Sequence, residues 1–191
     1  MFLSTVVAPS DWVMRWTHLA KPEGKVLDVA CGMGRHMAWF ANLGCEVTGV
    51  DRSPLAVAAA SAFGTCLQAD IENAAWPLMD AGQPRQFDVV VVTNYLWRPL
   101  LPTLLKSLAP GGVLLYETFA AGNETVGKPS RPDFLLQPGE LLRVCADQHV
   151  VAYEAGYLAN PPRFVQRIAA VAAPQQAGEI TVAALHTLSL E

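Results

Sequence analysis

The stretch Lys25–Gly34, KVLDVACGMG, constrains the fold more than any other part of the chain. An apolar, β-branched run ends at Asp28-Val29, small residues and glycines follow, and a helix-like run begins at Arg35. A strand, a tight turn and a helix in this order form the first unit of an α/β sheet. Glycines in such a turn let backbone N–H groups approach a ligand closely, and the helix that follows presents a partial positive charge at its first turn. The stretch therefore predicts a ligand site at the end of the first strand.

The rest of the chain alternates strand-like and helix-like runs, which is typical of α/β proteins. Apolar runs predict strands over residues 25–30, 45–50, 65–68, 87–93 and 113–118. Helices are predicted after Ser10 and over residues 35–43, 55–63, 100–108 and 139–146. The last two strands, 150–157 and 164–173, are joined by a proline-rich turn that suggests a hairpin. We therefore expect a doubly wound, Rossmann-like α/β sheet of seven strands, mostly parallel, with an antiparallel C-terminal hairpin.

Length and loop pattern predict the domain organisation. With 191 residues, the chain is expected to form a single domain spanning residues 1–191. Residues 120–138 form one long irregular segment, and a loop of that length in a compact domain usually serves as a lid or substrate loop. The tail from residue 174 is ambiguous, because residues 180–190 fit a short strand or packed coil equally well.

Charge and hydrophobicity argue against several classes of partner. The formal net charge is −4 and no Lys/Arg cluster is present, which argues against a nucleic-acid partner. No run reaches the ~20 apolar residues that cross a bilayer, and the N-terminus lacks the basic region of a signal peptide. We therefore expect a cytoplasmic protein, either a monomer or a homodimer. The four cysteines are scattered without a CxxC pair, which predicts buried free thiols and no metal site.

Polar residues follow the predicted strands on the side where the glycine turn lies. Asp51, Asp70, Asn94 and Glu117 each stand at the end of a strand, and the C-terminal ends of parallel strands meet at one edge of a sheet. A carboxylate accepts both hydroxyls of a ribose, which suits Asp51, and a second carboxylate accepts from an adenine amino group, which suits Asp70. These residues predict a nucleoside site, although each aspartate is also compatible with an ordinary turn.

The phosphate-binding patterns of nucleotide sites do not fit this chain well. A dinucleotide fingerprint requires a third glycine near position 37, where the chain has Met37. No Gly-Lys-Ser/Thr sequence is present, which excludes a P-loop. A nicotinamide-dependent reductase is therefore a weaker hypothesis than a nucleoside site of another kind.

The motifs resemble those of class I S-adenosylmethionine-dependent methyltransferases over nearly the whole chain. The first motif of that family, an acidic residue before a Gly-x-Gly turn, is matched by residues 28–34, with Ala30 where the family often has glycine. Asp51 matches the ribose-binding acid, and Asp70-Ile71 resembles the pair at the adenine edge. The turn at residues 110–112 is also typical of this family. The chain further resembles a smaller group, the bacterial tellurite-resistance-type methyltransferases, at residues 94–99, 116–119, 127–134 and 138–142.

This resemblance implies a cofactor and a set of residues to hold it. The cofactor is S-adenosyl-L-methionine, and the product is S-adenosyl-L-homocysteine. The carboxylate of Asp28 and the backbone near Ala30 are suited to the ammonium group of the methionine part, and Arg35 or turn N–H groups to its carboxylate. The expected cofactor-binding residues are Asp28, Ala30, Cys31, Gly32, Gly34, Arg35, Asp51, Arg52, Asp70, Ile71 and Asn94.

The methyl acceptor is expected beside the ends of the fourth and fifth predicted strands. Asn94, Tyr95 and Glu117 are the candidate catalytic residues, with Glu117 the candidate base if the acceptor carries a proton to remove. The candidate substrate-binding residues are Trp97, Arg98, Lys128 and Arg131. Each has a structural alternative: the aromatic rings fit core packing, the charges fit a solvated surface, and Glu117 fits a hydrogen bond to the loop.

Three functions remain compatible with these residues. We favour a methyltransferase that acts on a small-molecule acceptor by in-line transfer, because the chain is short and carries no appended recognition domain. A protein or RNA methyltransferase is the second hypothesis. A non-catalytic S-adenosylmethionine-binding protein is the third, and it would bind the cofactor without transferring the methyl group to any acceptor.

Overall fold

The structure of the protein, a computed structural model, describes residues 7–173. The predictions for residues 174–191 lie outside that range. The helices are α1 (Asp11–Trp16), α2 (Arg35–Asn42), α3 (Pro54–Ala60), α4 (Leu101–Lys106) and α5 (Glu140–Val144). The strands are β1 (Lys25–Val29), β2 (Glu46–Asp51), β3 (Thr65–Gln68), β4 (Met79–Asp80), β5 (Gln83–Pro84), β6 (Phe87–Thr93), β7 (Leu108–Phe119), β8 (His149–Ala159) and β9 (Pro162–Val171).

Seven of these strands form one sheet in the order β3-β2-β1-β6-β7-β9-β8. Strands β1, β2, β3, β6 and β7 run parallel, whereas β9 is antiparallel to both of its neighbours, β7 and β8. The strand order reverses between β1 and β6, and ligands of such open sheets bind beyond the C-terminal strand ends at this point. The predicted seven-stranded sheet with its antiparallel C-terminal hairpin is therefore confirmed.

Helices cover both faces of the sheet, as the apolar sequence of β6 requires. Val89 and Val91 face the layer that contains α1, α2 and α3, and Val90 and Val92 face the layer that contains α4 and α5. Burial on both faces explains why β6 is an unbroken apolar run rather than an alternating one.

The helix starts follow the signals in the sequence. Ser10 caps α1 by accepting a hydrogen bond from the Trp12 N–H at 3.2 Å, and Ser53 caps α3 by accepting from the Ala56 N–H at 3.3 Å. Gly34 precedes α2 with φ +81°, and a Cβ there would lie 2.9 Å from Ala60 Cα. Glycine is therefore needed at this position both for its backbone angle and for the close approach of α3.

Two segments differ from the sequence-based prediction. Strand β7 begins at Leu108 rather than at residue 113, because Leu108 pairs with Phe87 of β6. The turn at residues 110–112 shifts the pairing register but does not end the strand. The predicted loop over residues 71–84 contains the small hairpin β4-β5. Its turn residues, Ala81 and Gly82, both have positive φ, as a tight two-residue hairpin turn requires.

The long segment 120–138 is folded against the α4/α5 layer. It contains two one-turn 3₁₀ helices, Asn123–Thr125 and Pro132–Phe134. The buried Asn123 side chain donates to the Pro129 carbonyl at 2.9 Å and accepts from the Phe164 N–H at 3.1 Å, which joins the segment to β9. Among residues 7–173, no helix is long and apolar enough to span a bilayer.

Candidate functional site

The C-terminal ends of β1, β2, β3 and β6 meet at one edge of the sheet, and two cavities open there. The larger one, which we call the main cleft, has a volume of about 790 Å³. It is lined by the glycine turn, the start of α2, the end of α3 with the turn that follows it, and the end of β6. The smaller one, the side pocket, has a volume of about 160 Å³ and lies over β2 and β3. The two share Ala30, so a single elongated ligand can occupy both.

The glycine turn after β1 exposes its backbone to the main cleft. Ala30 and Gly32 both have positive φ, at +52° and +54°. A Cβ on Gly32 would meet no atom within 4 Å, so the space beside this backbone is open to a ligand. The Cys31 N–H donates to the Val50 carbonyl at 3.1 Å, which keeps the start of the turn joined to β2.

Asp51 stands where the two cavities adjoin, and two backbone N–H groups hold its carboxylate in place. Oδ2 accepts from the Gly32 N–H at 2.9 Å, and Oδ1 accepts from the Ser53 N–H at 2.8 Å. A carboxylate has about four lone-pair positions. Asp51 therefore retains acceptor capacity on both oxygens while its orientation is fixed.

Asp28 is buried at the end of β1, with a carboxylate oxygen that lacks a partner. Only 1% of the residue is exposed, and Oδ2 has no hydrogen-bond partner. Burial raises the pKa of Asp28 from 3.8 to about 8, with the Arg35 guanidinium opposing that shift and the Asp51 carboxylate adding to it. A buried carboxylate with one oxygen left without a partner is costly, and a cationic ligand group beside that oxygen would lower the cost.

His36, at the start of α2, connects Asp28 with the segment before α1. Its Nε2 accepts from the Ser10 N–H at 3.1 Å, so the ring proton is on Nδ1, which lies 3.9 Å from Asp28 Oδ2. Burial lowers the pKa of His36 to about 3, and the neighbouring Arg35 charge adds to the shift. The imidazole is therefore neutral and acts as an acceptor that fixes the N-terminal segment over the main cleft.

Glu117 is held by the same segment and by two arginines of β9. It is 2% exposed and accepts from the Ser10 hydroxyl at 3.2 Å. It also forms ion pairs with Arg167 at 3.2 Å and Arg163 at 3.6 Å. Glu117 lines a separate cavity of about 650 Å³ between α1 and the β8-β9 hairpin, rather than the main cleft.

Arg35 and Asn94 both line the main cleft. The Arg35 guanidinium donates to the Ala8 carbonyl at 3.3 Å and to the Thr93 hydroxyl at 3.4 Å. Asn94 follows β6 with φ +54°, and its N–H donates to the Glu117 carbonyl at 2.9 Å. A guanidinium at the start of α2 and an exposed residue just after β6 thus both border the cleft.

The side pocket contains Asp51, Arg52, Asp70, Ile71 and Tyr95. The Asp70 carboxylate accepts from the N–H groups of residues 72 and 73 and from the Asn73 amide, so it also closes its own turn. These hydrogen bonds lower the pKa of Asp70. Burial raises the pKa of Tyr95, which keeps its hydroxyl protonated at neutral pH.

The four residues predicted to bind the acceptor are separated from one another. Arg98 forms a two-point ion pair with Glu140 and donates to the carbonyls of Asp133 and Leu135, so it holds down the end of segment 120–138. Trp97 packs against the α4/α5 core. Lys128 and Arg131 are exposed on the segment, and Arg131 pairs with Asp133. None of the four lines either cavity.

Several residues of the site were not identified from the sequence. Phe63, Ala59 and Ala62 of the α3 region form an apolar wall of the main cleft, and Ser10 and His36 join its N-terminal cover to α2. The spacing of Ala59, Ala62 and Phe63 is that of one helical face, but nothing in the sequence shows that this face adjoins the glycine turn. The contact of Ser10 with His36 spans 26 residues and has no local signal.

Comparisons with known proteins show that this chain is similar to methyltransferases. A protein-family profile described as a methyltransferase domain matches residues 26–112. The ubiquinone biosynthesis O-methyltransferase of Stutzerimonas stutzeri is 32% identical over 108 residues, which is 53% of this chain and 47% of that protein. The malonyl-[acyl-carrier protein] O-methyltransferase of Enterobacter lignolyticus is 37% identical over 110 residues, which is 53% of this chain and 41% of that protein. The chain thus spans about half the length of the curated relatives that it matches.

Solved structures share the fold at lower identity. TehB from Haemophilus influenzae matches with a TM-score of 0.68 and 21% identity, covering 89% of this chain and 64% of that one. An S-adenosylmethionine-dependent methyltransferase from Methanosarcina mazei matches with a TM-score of 0.66 and 13% identity, covering 88% and 100% of the two chains. A TehB-like S-adenosylmethionine-dependent methyltransferase from Corynebacterium glutamicum matches with a TM-score of 0.59 and 19% identity, covering 85% and 86%. The methyltransferase-domain profile over residues 26–112, the curated methyltransferase relatives and the fold shared with TehB-like proteins together support a class I S-adenosylmethionine-dependent methyltransferase.

Proposed function

We propose that this protein transfers the methyl group of S-adenosylmethionine to a small-molecule acceptor and releases S-adenosylhomocysteine. The observation that carries the proposal is the anchored Asp51 carboxylate, which stands beside an open glycine turn where the main cleft meets the side pocket. A rigid acceptor of two hydrogen bonds is what the ribose of an adenosyl group requires.

The residues around both cavities fit this cofactor from end to end. The side pocket would hold the adenine, with Asp70 and Ile71 at its edge and Tyr95 against its face. The unpartnered Asp28 oxygen supports a position for the ammonium group near His36, and the Arg35 guanidinium supports one for the carboxylate. The open space beside Gly32 gives the methionine chain room to pass along the turn.

When bound, the cofactor supplies an electrophilic methyl group on a positively charged sulfur. The work of the protein is then to position the acceptor in line and to exclude water. We propose that Asn94 points towards the reacting groups and accepts from an acceptor N–H or O–H. The contacts of Glu117 with Ser10, Arg163 and Arg167 favour a role in fixing the N-terminal segment over a role as the base.

A small acceptor is supported by the names of the curated relatives. Ubiquinone biosynthesis O-methyltransferases recur among them, although this chain covers less than half of the length of those from Stutzerimonas stutzeri and Idiomarina loihiensis. The apolar wall formed by Ala59, Ala62 and Phe63 suits an acceptor with apolar surface. The net charge of −4 supports a small molecule over RNA.

We further propose that segment 120–138 is a substrate loop of one domain that spans residues 1–191. Its two ends are tied down by Asn123 and Arg98, while Lys128 and Arg131 between them are exposed. If these two charges meet the acceptor, the double variant Lys128→Ala, Arg131→Ala raises KM for the acceptor with little change in cofactor affinity. Unchanged KM would show that the loop does not use its charges on the acceptor. The cytoplasmic location and the monomeric or dimeric state expected from the sequence stay predictions.

The proposal is tested by a transfer screen with methyl-labelled S-adenosylmethionine. The purified protein is incubated with metabolite extracts, with protein and with RNA, and labelled products are identified by mass spectrometry. Label in a small molecule that is absent with Asp51→Ala supports the proposal. Label in protein or RNA alone, or cofactor binding without transfer to any pool, contradicts it.

A further inference from the structure

Two thiols meet beneath the glycine turn, on the face of the sheet that carries α1, α2 and α3. The Sγ atoms of Cys31 and Cys66 are 3.6 Å apart. Cys31 follows β1, and Cys66 lies in β3, opposite Gly49 of β2. The thiols therefore reach each other across the intervening strand.

Gly49 leaves the gap in which these side chains meet. A Cβ at this position would lie 3.0 Å from Cys31 Sγ and would collide with the Sδ atom of Met37 on α2. The Cys31 thiol and the Met37 thioether thus border the space above Gly49, and the Cys66 thiol lies 3.6 Å from the Cys31 thiol. Met37 is fully buried and Cys31 nearly so, while Cys66 is half-buried.

A disulfide does not suit this arrangement. Because β2 lies between the two cysteines, their backbones are separated by about two strand spacings, or roughly 9 to 10 Å. Disulfides require Cα atoms within about 7 Å of each other. An ion that bonds to both sulfur atoms leaves them farther apart than a direct S–S bond does, so it fits without movement of the backbone.

We propose that Cys31, Cys66 and Met37 form a binding site for a soft monovalent metal ion of the Cu(I) or Ag(I) class. Thiolate and thioether ligands select soft ions. Within residues 7–173, no three His, Cys, Asp or Glu side chains are grouped to hold a metal ion, so the site lacks the ligands that harder ions prefer. The sequence-based expectation that the cysteines carry no metal site rested on their spacing along the chain, which does not show that β1 and β3 bring two of them together.

Ion binding at this site keeps the charge of the buried space unchanged. One thiol releases its proton to water as its sulfur bonds to the monovalent cation, while the second thiol and the thioether donate neutral lone pairs. No electron is transferred. The ion reaches the site through the main cleft, which Cys31 lines.

The site is tested with Cu(I) under anaerobic, reducing conditions, in competition with the chromogenic chelator bicinchoninate. The full-length protein is expected to withdraw one equivalent of Cu(I) and bleach the chelator colour. Cys31→Ser and Cys66→Ser are each expected to lower the apparent affinity by about 100-fold, and Met37→Leu by about 10-fold. Cys45→Ala and Cys145→Ala, which alter the other two thiols, serve as matched controls and are expected to retain the ion.

Circular dichroism identifies any variant that fails to fold, and Cys66→Ser then carries the test because Cys66 lies outside the glycine turn. Failure of the wild-type protein to compete, or equal retention by Cys66→Ser, overturns the site. If Met37→Leu binds Cu(I) with unchanged affinity, the Met37 thioether is not a ligand of the ion. The measurement contains no methyl acceptor or cofactor, so its outcome is independent of the proposed methyl transfer.

Discussion

The Asp51 carboxylate accepts a hydrogen bond from the Gly32 backbone N–H at 2.9 Å, which ties the end of β2 to the turn after β1. The acidic residue and the glycine turn, which are 19 residues apart in sequence, are therefore one structural unit. The bond orients the carboxylate before any ligand arrives, and a preorganised acceptor loses less entropy on binding. Variants of the turn should accordingly alter stability and ligand affinity together.

Replacement of Ala30 by glycine should stabilise the protein. Ala30 has φ +52°, a left-handed conformation that costs a residue with a Cβ about 1–2 kcal/mol. Glycine removes this strain, but it also gives the unfolded chain more conformational entropy, which favours unfolding. We therefore expect a net increase of about 0.5–1 kcal/mol in the free energy of unfolding. Urea denaturation measures the change. Ala155→Gly, on the exposed part of β8, should lower stability instead, and a lower stability for Ala30→Gly would contradict the strain.

Addition of a methyl group at Gly49 should destabilise the protein. The new Cβ would collide with Met37 Sδ in the buried layer under α2, so we expect a loss of about 1–3 kcal/mol. The matched control is Gly156→Ala, because a Cβ there meets no atom within 4 Å. Thermal and urea unfolding of both variants provide the comparison. Equal stability of the two would show that the space above Gly49 is larger than described.

Asp28 should make the ligand-free protein less stable as the pH rises. Its pKa is raised from 3.8 to about 8 in the folded protein, so between these values the folded form holds a proton that the unfolded chain has released. The contribution of Asp28 to stability is thus fully present below pH 4 and falls by about 1.4 kcal/mol per pH unit up to about pH 8. His36, with its pKa lowered from 6.5 to about 3, stays neutral in the folded protein over this range but gains a proton in the unfolded chain below about pH 6.5. Its contribution to stability therefore rises with pH up to that value, so the Asp28 contribution is measured against a variant that retains His36.

Asp28→Asn removes that dependence, because the amide has no proton to lose. From pH 6 to pH 8 the wild-type protein should lose about 2–3 kcal/mol relative to the variant, measured by urea denaturation at each pH. Saturating S-adenosylhomocysteine should reduce the slope, since an ammonium group beside Asp28 favours the carboxylate. Parallel pH profiles for the two ligand-free proteins would contradict the raised pKa of the buried Asp28 carboxyl group.

Removal of Arg98 should loosen segment 120–138. Its guanidinium bonds to Glu140 and to the carbonyls of Asp133 and Leu135. Because the pair is partly exposed, Arg98→Ala should cost about 1–3 kcal/mol, with faster amide hydrogen exchange over residues 133–140. Arg131→Ala removes an exposed ion pair on the same segment and should leave both quantities nearly unchanged. Equal effects of the two variants would show that Arg98 does not anchor the segment.

The fold could be predicted because its signals are local. The apolar run of β6, the serine caps of α1 and α3, and the glycine turn each depend on a few adjacent residues. The hairpin β4-β5 was not predicted because its turn has alanine at a position where Asn or Asp gives the usual signal. The extension of β7 was not predicted because the pairing of Leu108 with Phe87 depends on the neighbouring strand.

The site was less predictable than the fold because its contacts are long-range. The strand ends that carry Asp51, Asp70 and Asn94 follow from the topology of a parallel sheet, so these positions could be inferred from order alone. The face on which a side chain lies is harder to infer at an irregular strand. Glu117 was expected beside the acceptor, yet its partners Ser10, Arg163 and Arg167 are distant in sequence and occupy both carboxylate oxygens.

Calorimetric titration of S-adenosylhomocysteine tests the central claim most directly, with the wild-type protein, Asp51→Ala and the exposed control Asp147→Ala. We predict one equivalent bound by the wild-type protein and by Asp147→Ala, and an affinity lower by about 100-fold for Asp51→Ala, since two charge-assisted hydrogen bonds are lost. Absence of binding by the wild-type protein, or equal affinities for wild type and Asp51→Ala, would contradict the assignment of this edge of the sheet to an adenosyl cofactor.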